Sequence, residues 1–166
     1  SLEKEEKVLN KLKEKIMNTL DHKYFGKLCF DKANDTGIIW TGQVNEINVK
    51  MWYDEDMEVK REDLDKCAIF LENFKDNIKR ATEILIETLK EDREYMDYHL
   101  EACKEANLPN DVVEFVLKMT VTAINLWIGD SELITIDFMI LPEESDQILC
   151  VKFNEKGEVD AVDWES

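Results

Sequence analysis

Apolar residues change period three times along this chain, and the changes divide it into four stretches. From Glu3 to Leu20, the residues Val8, Leu9, Leu12, Ile16 and Leu20 recur among alternating Glu and Lys at the spacing of one helical stripe. The period then shortens to two. Residues 24–30, 37–43 and 44–53 read as strands, with Asn34, Asp35 and Gly37 supplying turn chemistry between the first two, and together they predict an N-terminal β-meander. Helical spacing returns after Arg61. Leu64, Ala68, Leu71, Phe74 and Ile78 form one stripe and Leu85, Leu89, Met96, Leu100 and Cys103 another, a pattern compatible with one bent helix or two. Pro109 ends the run, and Asn110 is the expected cap of a short helix over 111–118 whose first turn holds Asp111 and Glu114. Strand period resumes over 121–128, 132–141, 147–153 and 158–164. Gly129-Asp130, Pro142 with Glu143, Glu144 and Asp146, and Lys156-Gly157 punctuate it.

Strands, then helices, then strands predict an α+β fold, since a doubly wound sheet would alternate them one for one. The expected architecture is a single domain over 1–166. Its antiparallel sheet is built from the N-terminal and C-terminal β-meanders, with the N-terminal helix and the central helical segment packed on it.

Charge narrows the partners. Thirty-eight acids against 21 bases leave the chain at −17, which argues against nucleic acid because phosphate binding rests on Lys and Arg. The imbalance is uneven: nine bases face eight acids over 1–53, nine face 17 over 54–105, and two face 11 over 130–166. A basic protein would be steered to the middle and the end of the chain. The cysteines Cys29, Cys67, Cys103 and Cys150 stand singly with no CxxC pair, so a reducing, cytoplasmic setting without a disulfide framework is expected. No apolar run approaches ~18 residues, so neither a membrane span nor an export signal is expected.

Few residues suggest chemistry. YDEDMEVKREDLDK, beginning at Tyr53, places acids at calcium-loop positions as Asp54, Asp56, Glu58 and Asp65. Val59 stands where a calcium loop needs Gly, and Asp65 where it needs a longer Glu, so the stretch reads as a strand exit and an acidic helix start. His99 and Cys103 lie four apart on one helical face, the beginning of a metal site for a hydrolase if His22 or a carboxylate joined them; otherwise they are an ordinary half-buried pair. GxGxxG, Walker, HExxH and GxSxG motifs are absent from the sequence, and no cofactor or metal is expected.

Strand alternation is more informative. Ile47, Val49, Met51 and Tyr53 share one face, and Glu46, Asn48, Lys50 and Trp52 the other. Ile124, Leu126 and Ile128 oppose Asn125 and Trp127; Ile134, Ile136 and Phe138 oppose Asp137; Leu149, Val151 and Phe153 oppose Cys150 and Lys152. The second face thus carries Trp52, Trp127, Asn125, Asp137 and Lys152, a mixture suited to an interaction surface. The plain alternative is that the N-terminal helix packs over part of it.

LPNDVVEFV, the strands around WIGDSE, and PEESDQILCVKFNEKGEVDAV resemble a group of uncharacterised bacterial cytosolic domains of unknown function. IIWTGQVNEINVKMWYDEDMEV is similar to the same group's N-terminal half. Where many members carry His-Gly after the acidic pair, this chain has Ser145-Asp146, so chemistry at that position is not implied here. The resemblance implies an immunity-like or accessory protein of a toxin system. The leading expectation is therefore a non-enzymatic domain binding a basic protein, with Trp52, Trp127, Asn125, Asp137, Glu143, Glu144, Asp146 and Asp163 as contact residues. The alternatives are a metal-dependent hydrolase using His99, Cys103 and a carboxylate, and a small-molecule or peptide binder on the Trp52/Trp127 face.

Overall fold

The alternating apolar positions of the last third all turn to one side. In the computed structural model, which describes residues 1–32, 36–54 and 57–166, they floor a single core. Asn34, Asp35 and Asp56, expected above in a turn and a calcium loop, and the Ile16 side chain lie outside the described residues.

The chain runs α1 (Leu2–Met17), β1 (Thr19–His22), β2 (Gly26–Cys29), β3 (Ile38–Val44), β4 (Ile47–Tyr53), α2 (Arg61–Glu72), α3 (Phe74–Glu91), α4 (Glu94–Ala102), α5 (Val112–Leu117), β5 (Thr120–Ile128), β6 (Ile134–Met139), β7 (Ile148–Phe153) and β8 (Val159–Glu165). The fold is α+β. Strands β3 to β8 form a six-stranded sheet in sequence order, antiparallel at every joint except β4–β5, which is parallel. That exception follows from connectivity. All the helices from α2 to α5 intervene between β4 and β5, and such a crossover returns the chain in the same direction, whereas hairpins reverse it.

The N-terminal strands are divided differently from the expected meander. Asn18 adopts a left-handed conformation that stops α1, so Leu20 falls within a strand instead of ending the helical stripe. β1 and β2 then pair only with each other, and their turn is held by His22 Nδ1, which accepts the Tyr24 and Phe25 amides at 3.0 and 3.4 Å. β3 and β4 make a hairpin through Asn45 and Glu46, both at positive φ, a two-residue turn that the reading of 37–43 and 44–53 did not locate. Trp40 lies flat over Gly42 two residues on, where any Cβ would collide with the indole.

Helices cover one face. Val49, Met51, Ile124, Leu126, Ile136, Val151 and Phe153 are buried on the sheet side. Leu64, Cys67 and Leu71 of α2, Ala81, Leu85 and Leu89 of α3, Tyr95 and Met96 of α4 and Phe115 of α5 are buried on the helix side. The central segment is three helices. Asn73 closes α2, its side-chain Nδ2 donating to the Ile69 carbonyl at 2.9 Å, and Asp92 Oδ1 accepts the Glu94 backbone amide at 3.0 Å where α4 begins. The α5 cap is Asp111, whose carboxylate accepts the Glu114 amide. Asn110, expected to cap, instead accepts from Arg93 at 2.7 Å. The N-terminal helix departs most from expectation, since Val8, Leu9 and Leu12 remain about half exposed and are not buried on the sheet. No described helix is long and apolar enough to cross a membrane.

Candidate functional site: the open face of the sheet

The side chains that alternate with the core residues gather on the uncovered face. They line a concavity of about 590 Å³ whose described walls come from β4 to β8 and the β5–β6 turn. Register explains the gathering. Across the parallel joint Trp52 pairs with Trp127 and Lys50 with Asn125, while Asn125 pairs with Thr135, Thr135 with Lys152, Asp137 with Cys150, and Cys150 with Asp163.

Trp52 and Trp127 stack with ring centroids 5.3 Å apart and planes 13° from parallel. Both indole N–H groups are satisfied within the face: Trp52 Nε1 donates to Asn125 Oδ1 at 2.9 Å, and Trp127 Nε1 donates to Thr135 Oγ1 at 3.0 Å. The Asn125 amide is thereby oriented, and its Nδ2 donates onward to Asp137 Oδ2 at 3.4 Å. Burial pushes the Asp137 carboxyl above the usual carboxylate range, opposed by hydrogen bonds from Cys150 and Asn125 and by the Lys152 charge. Burial likewise pushes the Cys150 thiol up to about 12, so it is a protonated wall of the groove at neutral pH.

Lys152 points the other way, toward β8. Its ammonium lies 2.8 Å from Asp163 and 3.3 Å from Glu165, and the hydrogen bond to Asp163 is the chief cause raising its pKa.

The structure therefore brings together Trp52, Trp127, Asn125, Asp137 and, at the rim, Asp163. Glu143, Glu144 and Asp146 stand apart, exposed in the β6–β7 connection and outside the concavity. Their turn is anchored from beneath by a buried histidine. His99 Nδ1 lies 2.8 Å from the Tyr95 carbonyl and Nε2 lies 2.7 Å from Ser145 Oγ, so Nδ1 donates and Nε2 accepts the serine proton. Burial lowers the His99 pKa, in keeping with a neutral ring. Tyr95 ties the same connection, donating to the Gln147 carbonyl at 2.8 Å.

Thr135, Glu165, Asp130 and Glu132 also line the face and were not singled out from sequence. For the first two a signal existed: Thr135 lies two residues before Asp137 and Glu165 two after Asp163, hence on the same face.

The other expected residues are dispersed. His22 sits in the β1–β2 hairpin with Nε2 2.7 Å from Asp65 Oδ1, and both its ring nitrogens are engaged. Asp65, offered above as a calcium ligand, is that partner, within α2. His99 is fully buried, and Cys103, the α4 cap, is half-buried. Among the described residues no three His, Cys, Asp or Glu side chains are grouped to hold a metal ion. No protein-family model, curated protein or solved structure matches this chain.

Proposed function

We propose that the protein is a non-enzymatic binding domain that receives a basic protein partner on its open sheet face, in an immunity-like role. One observation carries the reading: a sheet face with a stacked tryptophan pair and a connected polar network stands open while the helices from α2 to α5 pack on the opposite side. Large aromatic side chains in partly desolvated hollows are the usual anchors of protein interfaces. Asp163 and Glu165 of β8 border the face, and the exposed acids of the β6–β7 connection, though apart from it, add to a negative field that would speed encounter with a basic surface. A cytoplasmic location fits the free cysteines Cys29, Cys67, Cys103 and Cys150. A second reading, a small-molecule site, draws on the concavity of about 590 Å³, a volume typical of ligand pockets.

The test is a low-salt capture from the native host, repeated with Trp127→Ala and with Glu143, Glu144 and Asp146 neutralised together. A genuine partner is released about 30-fold faster from Trp127→Ala, the equivalent of about 2 kcal/mol, and associates more slowly with the charge variant at an unchanged off-rate. Partners held equally by wild type and Trp127→Ala would remove the sheet face from the interface.

A further inference from the structure

Asp137 is a part-buried carboxylate on the groove floor with few bonds. Asp163 and Glu165 share the Lys152 ammonium, whereas among the described residues no Lys, Arg or His lies within ion-pair reach of Asp137. It accepts a long bond of 3.4 Å from the Asn125 amide and one from the Cys150 thiol, a weak donor, against about four acceptor positions on the group. Every element packed beside it offers the same answer. On β5, Asn125 is neutral; on β7, Cys150 is neutral and Lys152 is turned toward β8; on β8, Asp163 and Glu165 are acidic. Two carboxylate-to-indole steps away, through the single Asn125 side chain, begins the stacked Trp52/Trp127 pair.

A half-desolvated carboxylate lacking a cation, joined through one amide to a flat aromatic platform, suits a planar cation. A guanidinium presents a forked donor edge to a carboxylate and a face to an indole at once, which an ammonium cannot do. We propose that the open face takes an arginine side chain of its protein partner, with the guanidinium paired to Asp137 and lying along the Trp52/Trp127 pair. This deepens the reading of the face as a docking surface for a basic protein and rests on it.

The pairing has a proton consequence. Burial favours the neutral carboxyl of free Asp137, a guanidinium favours the carboxylate, and the complex therefore forms with proton release. Affinity rises with pH until Asp137 is ionised in the free protein, then becomes level.

The probes are hexalysine and the same peptide with one central lysine replaced by arginine, so that net charge and non-specific attraction to an acidic protein are equal. Isothermal titration across pH, in buffers of differing ionisation heat, reads affinity and proton release together. Expected are about tenfold tighter binding of the arginine peptide, as for a bidentate charged pair, and loss of both the preference and the proton release in Asp137→Asn. The pH slope of the wild type tests the idea even if that variant folds poorly.

Equal binding of the two peptides overturns the arginine anchor. If Trp127→Ala still weakens both, the docking face stands without it; if Trp127→Ala changes neither, the docking face falls as well. An arginine preference that persists in Asp137→Asn places the guanidinium elsewhere and also overturns the anchor. Free arginine binding as tightly as the peptide would make the site a small-molecule pocket and overturn the protein docking surface.

Discussion

The two faces of the six-stranded sheet are built from alternate residues of the same strands and are held by different forces. Val49, Ile124, Leu126, Ile136, Val151 and Phe153 face the helices and are buried by apolar contact alone. Lys50, Trp52, Asn125, Trp127, Asp137 and Lys152, one residue along each strand, are part-buried or exposed and are linked mainly by side-chain hydrogen bonds, ring stacking and ion pairs. The first arrangement stabilises the fold through area removed from water. The second orders side chains with little burial, which prepares them for a partner more than it strengthens the monomer. A face kept only for solvation does not need two stacked indoles with both N–H groups directed.

The sharpest way to break this contrast is truncation on each side. Phe153→Ala should cost about 3–5 kcal/mol by leaving a void beside Phe70, whose ring packs edge-on to it. Trp127→Ala should cost only about 1–2 kcal/mol, since its ring is part-exposed. Urea unfolding of both variants measures the difference, and equal losses would erase the energetic distinction between the faces.

His99 tests whether burial on the helix side is purely apolar. His99→Ala should lose about 2–4 kcal/mol, by the void and by the orphaned Ser145 hydroxyl. Its pKa is depressed in the fold, so the unfolded chain binds the proton more readily. The His99 contribution is whole above the unfolded value of about 6.5 and declines as pH falls through the folded value. The stability difference between wild type and His99→Gln should shrink correspondingly from pH 8 to acid, and a constant difference would mean that the ring is not held neutral.

Asp137 gives a smaller effect of opposite sign. Its folded pKa is raised, so the native state holds the proton more tightly, and stability falls as pH rises from the unfolded value through the folded one. Asp137→Asn should therefore raise the melting temperature at neutral pH by up to about 3 °C, while a drop would show that the carboxylate stabilises the free protein. The smallest expected effect is that of a chelator. With no metal cluster among the described residues, EDTA should leave the melting temperature unchanged, and a fall of several degrees would reopen the cation reading of the stretch from Asp54 to Asp65.

What could be read from the chain follows from the range of the interactions involved. Alternation is local, so 121–128, 147–153 and the two-sided placement of Trp52, Trp127, Asn125 and Asp137 were legible, and the strands lie there. The end of α1 was not. Leu20 continues the helical stripe, and only the left-handed Asn18 and its carbonyl, which accepts the Phe30 amide at 2.8 Å, divert it into a strand. The parallel β4–β5 joint and the Trp52/Trp127 stack depend on residues far apart in sequence, which no local pattern encodes. The same holds for His99, since its partner Ser145 lies on the far side of two strands.

The β4–β5 joint also bears on how the chain finds its fold. Hairpin pairings such as β3–β4 and β7–β8 close short loops, whereas β4 must wait until the helices from α2 to α5 have been laid down before it meets β5. Closing such a long loop is entropically slow, so this seam is expected to zip late, joining two preformed halves. Trp52 and Trp127 face each other across it, one from each half. Their fluorescence in a stopped-flow refolding trace should therefore lag behind the far-ultraviolet signal of the helices, a built-in clock for the final step of assembly.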